Sequence, residues 1–227
     1  MWILLAVLTA VCTALRDAAS KRATRSVDPL LIAFGLAAVP AGLLGGILLL
    51  RGADAPERGF GPALAVSGGI NALATPLIVH ALKRSDLSLV APLRGLTPLF
   101  MLVTAALVLG ERPSTVGAAG VAVIVAGAYL LNTSERRAGP LEPLKALLRD
   151  PGARLMLAVA FLYSVSASFD KVGTQASSPL LWAAAVQGVV AAVLAPIALA
   201  RAGLLRRPRR ALAGPGSRRE PHARRES

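Results

Sequence analysis

The stretch from Ala81 to Leu131 reads ALKRSDLSLVAPLRGLTPLFMLVTAALVLGERPSTVGAAGVAVIVAGAYLL. It contains two long apolar runs, over residues 87–109 and 114–132, bounded by short polar seams. A helix needs about 20 residues to cross a hydrocarbon layer of about 30 Å, and both runs have roughly that length. Charged residues, proline and glycine gather in the seams, as is typical of helix ends. The stretch therefore predicts two consecutive transmembrane helices.

The same pattern continues in both directions along the 227 residues. Hydrophobic residues make up 55% of the chain, charged residues 16% and aromatic residues 4%, and the mean hydropathy is +0.62. No run shows the alternation expected of a membrane barrel. We predict an all-α integral membrane protein with about seven transmembrane helices, over residues 2–20, 30–50, 60–82, 87–109, 114–132, 154–174 and 180–200.

Several chemical classes are excluded by residue counts and missing motifs. Cys12 is the single cysteine, so no disulfide forms within the chain, and with only His80 and His222 no structural zinc site can be assembled. The sequence contains no phosphate-binding loop, zinc-protease motif or nucleophile elbow. We therefore expect no catalytic residue, no cofactor and no metal, and any transport must draw its energy from a gradient.

The formal net charge of +13 is typical of proteins that bind nucleic acid, but the positions of the charges favour another explanation. Residues 201–227 hold nine of the 25 lysines and arginines and only two acidic residues. The remaining basic residues lie mostly in the seams between apolar runs, where they are better explained by orientation in a bilayer. We expect the lipid bilayer as the main partner and no binding of nucleic acid.

A shift of 150 residues aligns two parts of the chain. It places Lys21 on Lys171, Thr24 on Thr174 and residues 29–31 on 179–181, which are both Pro-Leu-Leu. The repeat would be five helices long, and a second copy that follows an odd number of helices must enter the membrane in the opposite direction. This inverted-topology arrangement belongs mainly to secondary transporters.

Four regions follow from this alignment and from local composition. We predict a first five-helix repeat over residues 1–134, a linker with an interfacial helix over 135–153, the first two helices of an inverted second repeat over 154–204, and a basic disordered tail over 205–227. The abrupt change to Arg, Pro, Gly and Ala in the tail is also what a shifted reading frame of GC-rich DNA would encode. We expect the chain to be truncated at the C-terminus for that reason.

The motifs between Ala81 and Leu131 resemble those of the EamA-like family in the drug/metabolite transporter superfamily. The matching pieces are Ala81-Leu82 after an intramembrane polar residue, Pro98, Leu109-Gly110-Glu111, Gly120 and Gly127. The resemblance implies a secondary transporter of small metabolites or drugs in a cell membrane, as in the bacterial inner membrane, with ten helices in two five-helix repeats. The three helices not found here imply either a truncated remnant or a partner, which would be a homodimer or a complementing half.

Intramembrane polar residues are the natural candidates for a substrate pathway, because an unpaired polar group in hydrocarbon costs several kcal/mol. Pro92 and Pro98 bracket Arg94 and predict a helix break beside it. Asn71 and Gln187 also fit hydrogen-bond links between helices, and His80 also fits an interfacial position. The expected pathway residues are Asn71, Thr75, His80, Arg94, Thr97, Tyr163 and Gln187.

A second set of intramembrane residues is charged. Asp17 and Asp170 are the carboxylates at a depth that could pair with Arg94. The set could change partners during transport, and structural ion pairs or snorkelling lysines account for it equally well. Its members are Arg16, Asp17, Lys21, Asp170 and Lys171. Glu111 is interpreted as a structural charge at a helix N-terminus, and close helix approach is expected at Gly42, Gly46, Gly120 and Gly127.

The leading functional hypothesis is transport of a small metabolite by alternating access, with Arg94 suited to a carboxylate-bearing solute such as an amino acid. A truncated remnant without activity, or a membrane scaffold, is the main alternative. An intramembrane enzyme is a weaker alternative, because it needs an acid and a base in one cavity, and the sequence offers only Asp170 near Tyr163 or Asp17.

The orientation in the membrane follows from the basic seams. Most lysines and arginines lie in the seams after the first, third and fifth helices and in the tail. Because basic connections tend to stay in the cytoplasm, this distribution predicts an external N-terminus. The family resemblance implies an internal N-terminus instead. We favour the charge distribution. Single-cysteine variants at Ala53 and Gly139, in a chain lacking Cys12, test it with an impermeant thiol reagent. We expect labelling from outside at residue 53, and labelling only at residue 139 would reverse the orientation.

Overall fold

The computed structural model describes residues 2–52, 55–110, 114–131 and 149–206. These ranges are almost entirely helical and contain no strand, which confirms the predicted all-α class. The helical segments are α1 (Trp2–Ala23), α2 (Pro29–Arg51), α3 (Phe60–Arg84), α4 (Leu87–Arg94), α5 (Thr97–Leu109), α6 (Thr115–Leu131), α7 (Pro151–Gln175) and α8 (Pro179–Arg206).

Six stretches are long and apolar enough to cross a membrane. They are α1, α2, α3, the combined segment Leu87–Leu109 formed by α4 and α5, α7, and α8 up to Gly203. The remaining predicted run, over residues 114–132, corresponds to α6, whose apolar part Thr115–Gly127 is shorter. The predicted interfacial helix of the linker, Glu111 and almost all of the basic tail lie outside the described residues.

The segments aligned by the shift of 150 residues make matching local contacts. Pro29 and Pro179 each begin a helix, where proline costs nothing because the first amide has no partner within the helix. The Thr24 and Thr174 hydroxyls each donate to the carbonyl of the aligned lysine three residues earlier, at 2.7 and 3.0 Å. These contacts match the predicted repeat, and superposition of the two copies stays a prediction.

Contacts between helix ends give the direction of each helix. The Lys21 ammonium, near the end of α1, donates to the Ser85 carbonyl at 2.6 Å. The Ser85 hydroxyl donates to Asp150, the residue before α7. We call this side of the bundle the Ser85 end, and the opposite side, where the Glu57 amide donates to the Ala176 carbonyl, the Glu57 end. Helices α1 and α7 therefore run in opposite directions, as an inverted repeat requires.

Helices α7 and α8 pack among the preceding helices. Helix α7 packs most extensively against α3, and α8 against α2. The α3–α7 core contains Ile78, Leu82, Met156 and Val159 together with residues of α4, and the α2–α8 core contains Ala33, Ala37, Val190 and Leu194. Helix α1 instead leaves most of its apolar side chains exposed, as a lipid-facing helix does.

The predicted sites of close helix approach are wrong. A Cβ atom added at Gly42, Gly46, Gly120 or Gly127 would meet no atom of the described residues within 4 Å, so no neighbouring helix lies close to these glycines. Close approach occurs instead where α7 and α8 enter the bundle. A Cβ at Gly68 would lie 2.7 Å from Val189, one at Gly152 would lie 2.3 Å from Ser85, and one at Gly173 would lie 2.0 Å from Trp182.

The predicted break beside Arg94 is confirmed. Helix α4 ends at Arg94 and α5 begins at Thr97, so the fourth span is interrupted by Gly95 and Leu96. The Thr97 hydroxyl donates to the Arg94 carbonyl at 2.8 Å. The break leaves Arg94 at the end of a short helix inside the bundle, where its guanidinium reaches α1.

Candidate functional site

A small cavity lies inside the bundle toward the Ser85 end. Its volume is about 60 Å³, and we call it the Ser85-end cavity. Helices α1, α2, α3, α7 and α8 all contribute side chains to its wall. Its lining residues are Arg16, Asp17, Ser20, Leu36, Ala37, Asn71, Thr75, Ile78, Leu82, Tyr163 and Gln187.

The charged part of this site centres on Asp17, which is only 7% exposed. Its carboxylate is 2.9 Å from Arg94 Nη1 and 3.0 Å from Arg16 Nη2. Arg94 Nε and Nη2 are also buried, and neither has a hydrogen-bond partner among the described residues. Two guanidinium groups around one carboxylate leave an excess positive charge beside the cavity.

A polar stripe on α3 lines the middle of the bundle. Ser67, Asn71 and Thr75 are four residues apart and therefore lie on one face of the helix. The Thr75 hydroxyl donates to the Asn71 carbonyl at 2.8 Å. On α7, Tyr163 lines the same cavity as Thr75.

A second cavity opens toward the Glu57 end. Its volume is about 390 Å³, and we call it the Glu57-end cavity. Its lining residues are Pro40, Leu44, Asn71, Asp170, Trp182, Ala183, Val186 and Gln187. Asn71 and Gln187 line both cavities and therefore separate them. We call these two side chains the partition.

Asp170 lies at the centre of a hydrogen-bond cluster on the Glu57 side of the partition. The Ser67 hydroxyl donates to Asp170 Oδ1 at 2.5 Å, and the Trp182 indole donates to the same oxygen at 3.1 Å. Ser166 lies 3.4 Å from the other carboxylate oxygen and accepts from the Asn71 amide at 2.8 Å. All these donors are neutral, unlike the arginines around Asp17.

The structure brings some of the predicted pathway residues together and separates others. Asn71, Thr75, Tyr163 and Gln187 line the Ser85-end cavity, whereas Arg94 stands behind Asp17 and lines neither cavity. Thr97 also lines neither cavity, and its hydroxyl donates to the Arg94 carbonyl at the break between α4 and α5. The His80 Nδ1–H donates to the Pro76 carbonyl at 2.7 Å, and the His80 side chain lines a separate apolar groove.

The predicted charge set is likewise divided. Arg16 and Asp17 line the Ser85-end cavity, and Asp170 lines the Glu57-end cavity. Lys21 bonds Ser85 at the end of the bundle, and Lys171 is exposed near the end of α7. Asp170 is therefore not brought together with Tyr163 or Asp17, the combination that an intramembrane enzyme would need. Within the described ranges, no group of three or more His, Cys, Asp or Glu residues could hold a metal ion.

Three residues of the site were missed by the sequence analysis. Ser67, Ser166 and Trp182 surround Asp170, and the serines are almost fully buried. The signal was present for both serines, because Ser67 stands four residues before Asn71 and Ser166 four before Asp170. No sequence spacing indicated Trp182, which reaches Asp170 from the neighbouring helix.

Buried charges, a broken span and two cavities lie within a bundle of apolar helices, which together define a multi-pass membrane protein. Residues 1–133 match the model of a family described as the EamA-like transporter family. The chain belongs to that family, whose members are membrane transporters of the drug/metabolite class and not enzymes. No curated protein and no solved structure shows significant similarity to the chain.

Proposed function

We propose that this protein moves a small anionic metabolite, such as an amino acid or another carboxylate, across the membrane by alternating access. The observation that carries the proposal is the Ser85-end cavity with its excess positive charge. Arg16 lines the cavity, and Arg94 keeps two buried nitrogens without partners in the described part of the chain. Guanidinium nitrogens bind carboxylates through strong charge-assisted hydrogen bonds.

The partition supports alternating access. Asn71 and Gln187 stand between a cavity at one end of the bundle and a cavity at the other, so a solute passing between them must displace these side chains. Gln187 makes only a long contact of 3.5 Å with the Leu36 carbonyl, which costs little to break. Movement of two side chains and their helices would then expose the site to one end at a time.

The volume of the Ser85-end cavity indicates a closed conformation. Ligand sites generally enclose about 300–1,000 Å³, whereas this cavity has about 60 Å³. That is room for about two water molecules at roughly 30 Å³ each. Substrate would therefore enter after the helices separate, with Thr75 and Tyr163 available to bind its polar groups. We further propose the bacterial inner membrane as the location, supported by the strong bias of basic residues toward alternate connections.

Transport of radiolabelled amino and organic acids into proteoliposomes tests the proposal. Arg94 lines neither cavity in this closed state, so its two unpartnered nitrogens would reach substrate only after the helices separate. We then expect Arg94→Ala to lower the initial rate for an anionic substrate by about 10- to 150-fold, the equivalent of losing one charged hydrogen bond. Arg94→Lys keeps the positive charge and should retain preference for anions at a reduced rate. Arg84→Ala, which removes an exposed arginine at the end of α3, is the matched control and should transport normally.

A result in which Arg94→Ala keeps both the wild-type rate and the preference for anions would contradict the assignment. Equal recovery of folded protein, checked by size-exclusion chromatography, separates lost transport from lost structure. A wild-type protein that exchanges only cationic solutes would contradict the proposed substrate class directly.

A further inference from the structure

We propose that Asp170, Ser67 and Ser166 form a binding site for a sodium ion, which enters from the Glu57-end cavity. The site is distinct from the positively charged region around Asp17, because Asp170 lines the Glu57-end cavity whereas Asp17 lines the Ser85-end cavity. It requires only atoms already in place: two carboxylate oxygens and two hydroxyl oxygens from α3 and α7.

The spacing of these oxygens suits a small hard cation. Ser67 Oγ and Ser166 Oγ are 3.1 Å apart, and Ser166 Oγ is 3.4 Å from Asp170 Oδ2. Sodium is close in size to calcium, whose oxygen ligands lie at about 2.3–2.6 Å, so neighbouring ligands around such an ion are separated by roughly 3–3.5 Å. Only the 2.5 Å contact from Ser67 to Asp170 would have to lengthen, as its hydroxyl hydrogen turns away and its oxygen faces the ion.

The charge of the site favours a monovalent cation. The lining of the Glu57-end cavity includes one carboxylate and no basic side chain, so one positive charge balances Asp170. Divalent cation sites usually draw on several carboxylates. A carboxylate inside a membrane protein is costly unless it serves a pathway or a partner, and the donors around Asp170 within the described residues are neutral.

The site is connected to the partition through Asn71. The Asn71 amide donates to Ser166 Oγ at 2.8 Å and to the Ser67 carbonyl at 2.9 Å. An ion that binds both hydroxyl oxygens would therefore alter the hydrogen bond between the Asn71 amide and Ser166 Oγ. The role of this contact in transport rests on the proposed function. The contact would couple entry of sodium from the Glu57 end to movement of the partition and release of substrate.

Trp182 provides a direct reporter, since its indole nitrogen is 3.1 Å from Asp170 Oδ1. The chain has two tryptophans, so Trp2→Phe leaves Trp182 as the only one. We expect its fluorescence to change saturably when NaCl replaces choline chloride at constant ionic strength and pH. Asp170→Asn should abolish the response, and Ser67→Ala or Ser166→Ala should weaken sodium affinity about threefold to tenfold.

Matched controls are Asp86→Asn and Ser26→Ala, which alter exposed residues outside the cluster and should leave the sodium response unchanged. The proposal is overturned if NaCl and choline chloride give the same fluorescence, including the case in which only a change of pH alters it. It is also overturned if Asp170→Asn responds like the parent or, should that variant not fold, if both serine variants keep the parental affinity. None of these readouts requires transport, so they can fail independently of the proposed function.

Discussion

Replacing Asp17 with asparagine is expected to lower the free energy of unfolding by about 3–5 kcal/mol, the usual cost of removing one partner from a buried ion pair. The Arg94 guanidinium, whose side chain is only 18% exposed, would lose the carboxylate 2.9 Å away. Asparagine has nearly the same shape, so the loss reflects charge rather than packing. Thermal unfolding in detergent would show a fall in Tm of about 6–20 °C for a chain of this size.

Asp86→Asn makes the same chemical change at an exposed position and should leave Tm within about 1–2 °C of the parent, as surface substitutions generally do. The double variant Asp17→Asn with Arg94→Gln removes both charges and should recover part of the loss, because no uncompensated guanidinium remains. A single Asp17→Asn variant as stable as the parent would show that the pair contributes little and that the membrane-embedded arginine is otherwise neutralised.

Gly173→Ala is expected to cost about 3 kcal/mol, at the upper end of the usual range for overpacking. A Cβ at this position would lie 2.0–2.3 Å from three carbon atoms of the Trp182 ring. The ring cannot move freely, since its nitrogen donates to Asp170 and it makes a T-shaped contact with the Phe60 ring at a centroid distance of 5.5 Å. The same detergent unfolding measurement would record the loss.

Gly188→Ala is the matched control, because a Cβ there meets nothing within 4 Å. It should be neutral or stabilising by up to about 1 kcal/mol, as alanine is a better helix former. Combining Gly173→Ala with Trp182→Leu removes the ring that clashes, so the two losses should be far from additive. Additive losses would place the cause of the Gly173→Ala effect somewhere other than Trp182.

The sequence was sufficient for those parts of the fold that depend on local pattern. Apolar length predicted the spans, and Pro92 with Pro98 predicted the break at Arg94. The glycine contacts failed because close approach depends on which faces meet. Gly42 and Gly46 have the spacing of an interface, and still no described neighbour lies within 4 Å of a Cβ at either, whereas Gly173, without that spacing, lies against Trp182.

In the candidate site, too, local sequence predicted some features, while others depend on how the helices pack. Single polar residues such as Asn71 and Asp17 lie inside the bundle, as expected from the penalty that hydrocarbon imposes on them, and their role in a substrate pathway stays a prediction. Their assignment to two cavities of different charge could not be predicted, since it depends on how α7 lies across α3. The sequence therefore grouped Asp17 with Asp170, while the folded chain places them on opposite sides of the partition.

The packing of α7 against α3 also has a consequence for biosynthesis. Ser67 and Asn71 enter the membrane long before their partners, because Ser166 and Asp170 follow Ser67 by 99 and 103 residues. At about 5–20 residues per second, ribosomes need roughly 5–20 s to make that length of chain. During this interval the polar stripe of α3 has no protein partner on α7. We therefore expect the nascent first helices to stay beside the insertion machinery, where water can solvate the stripe, until α7 arrives.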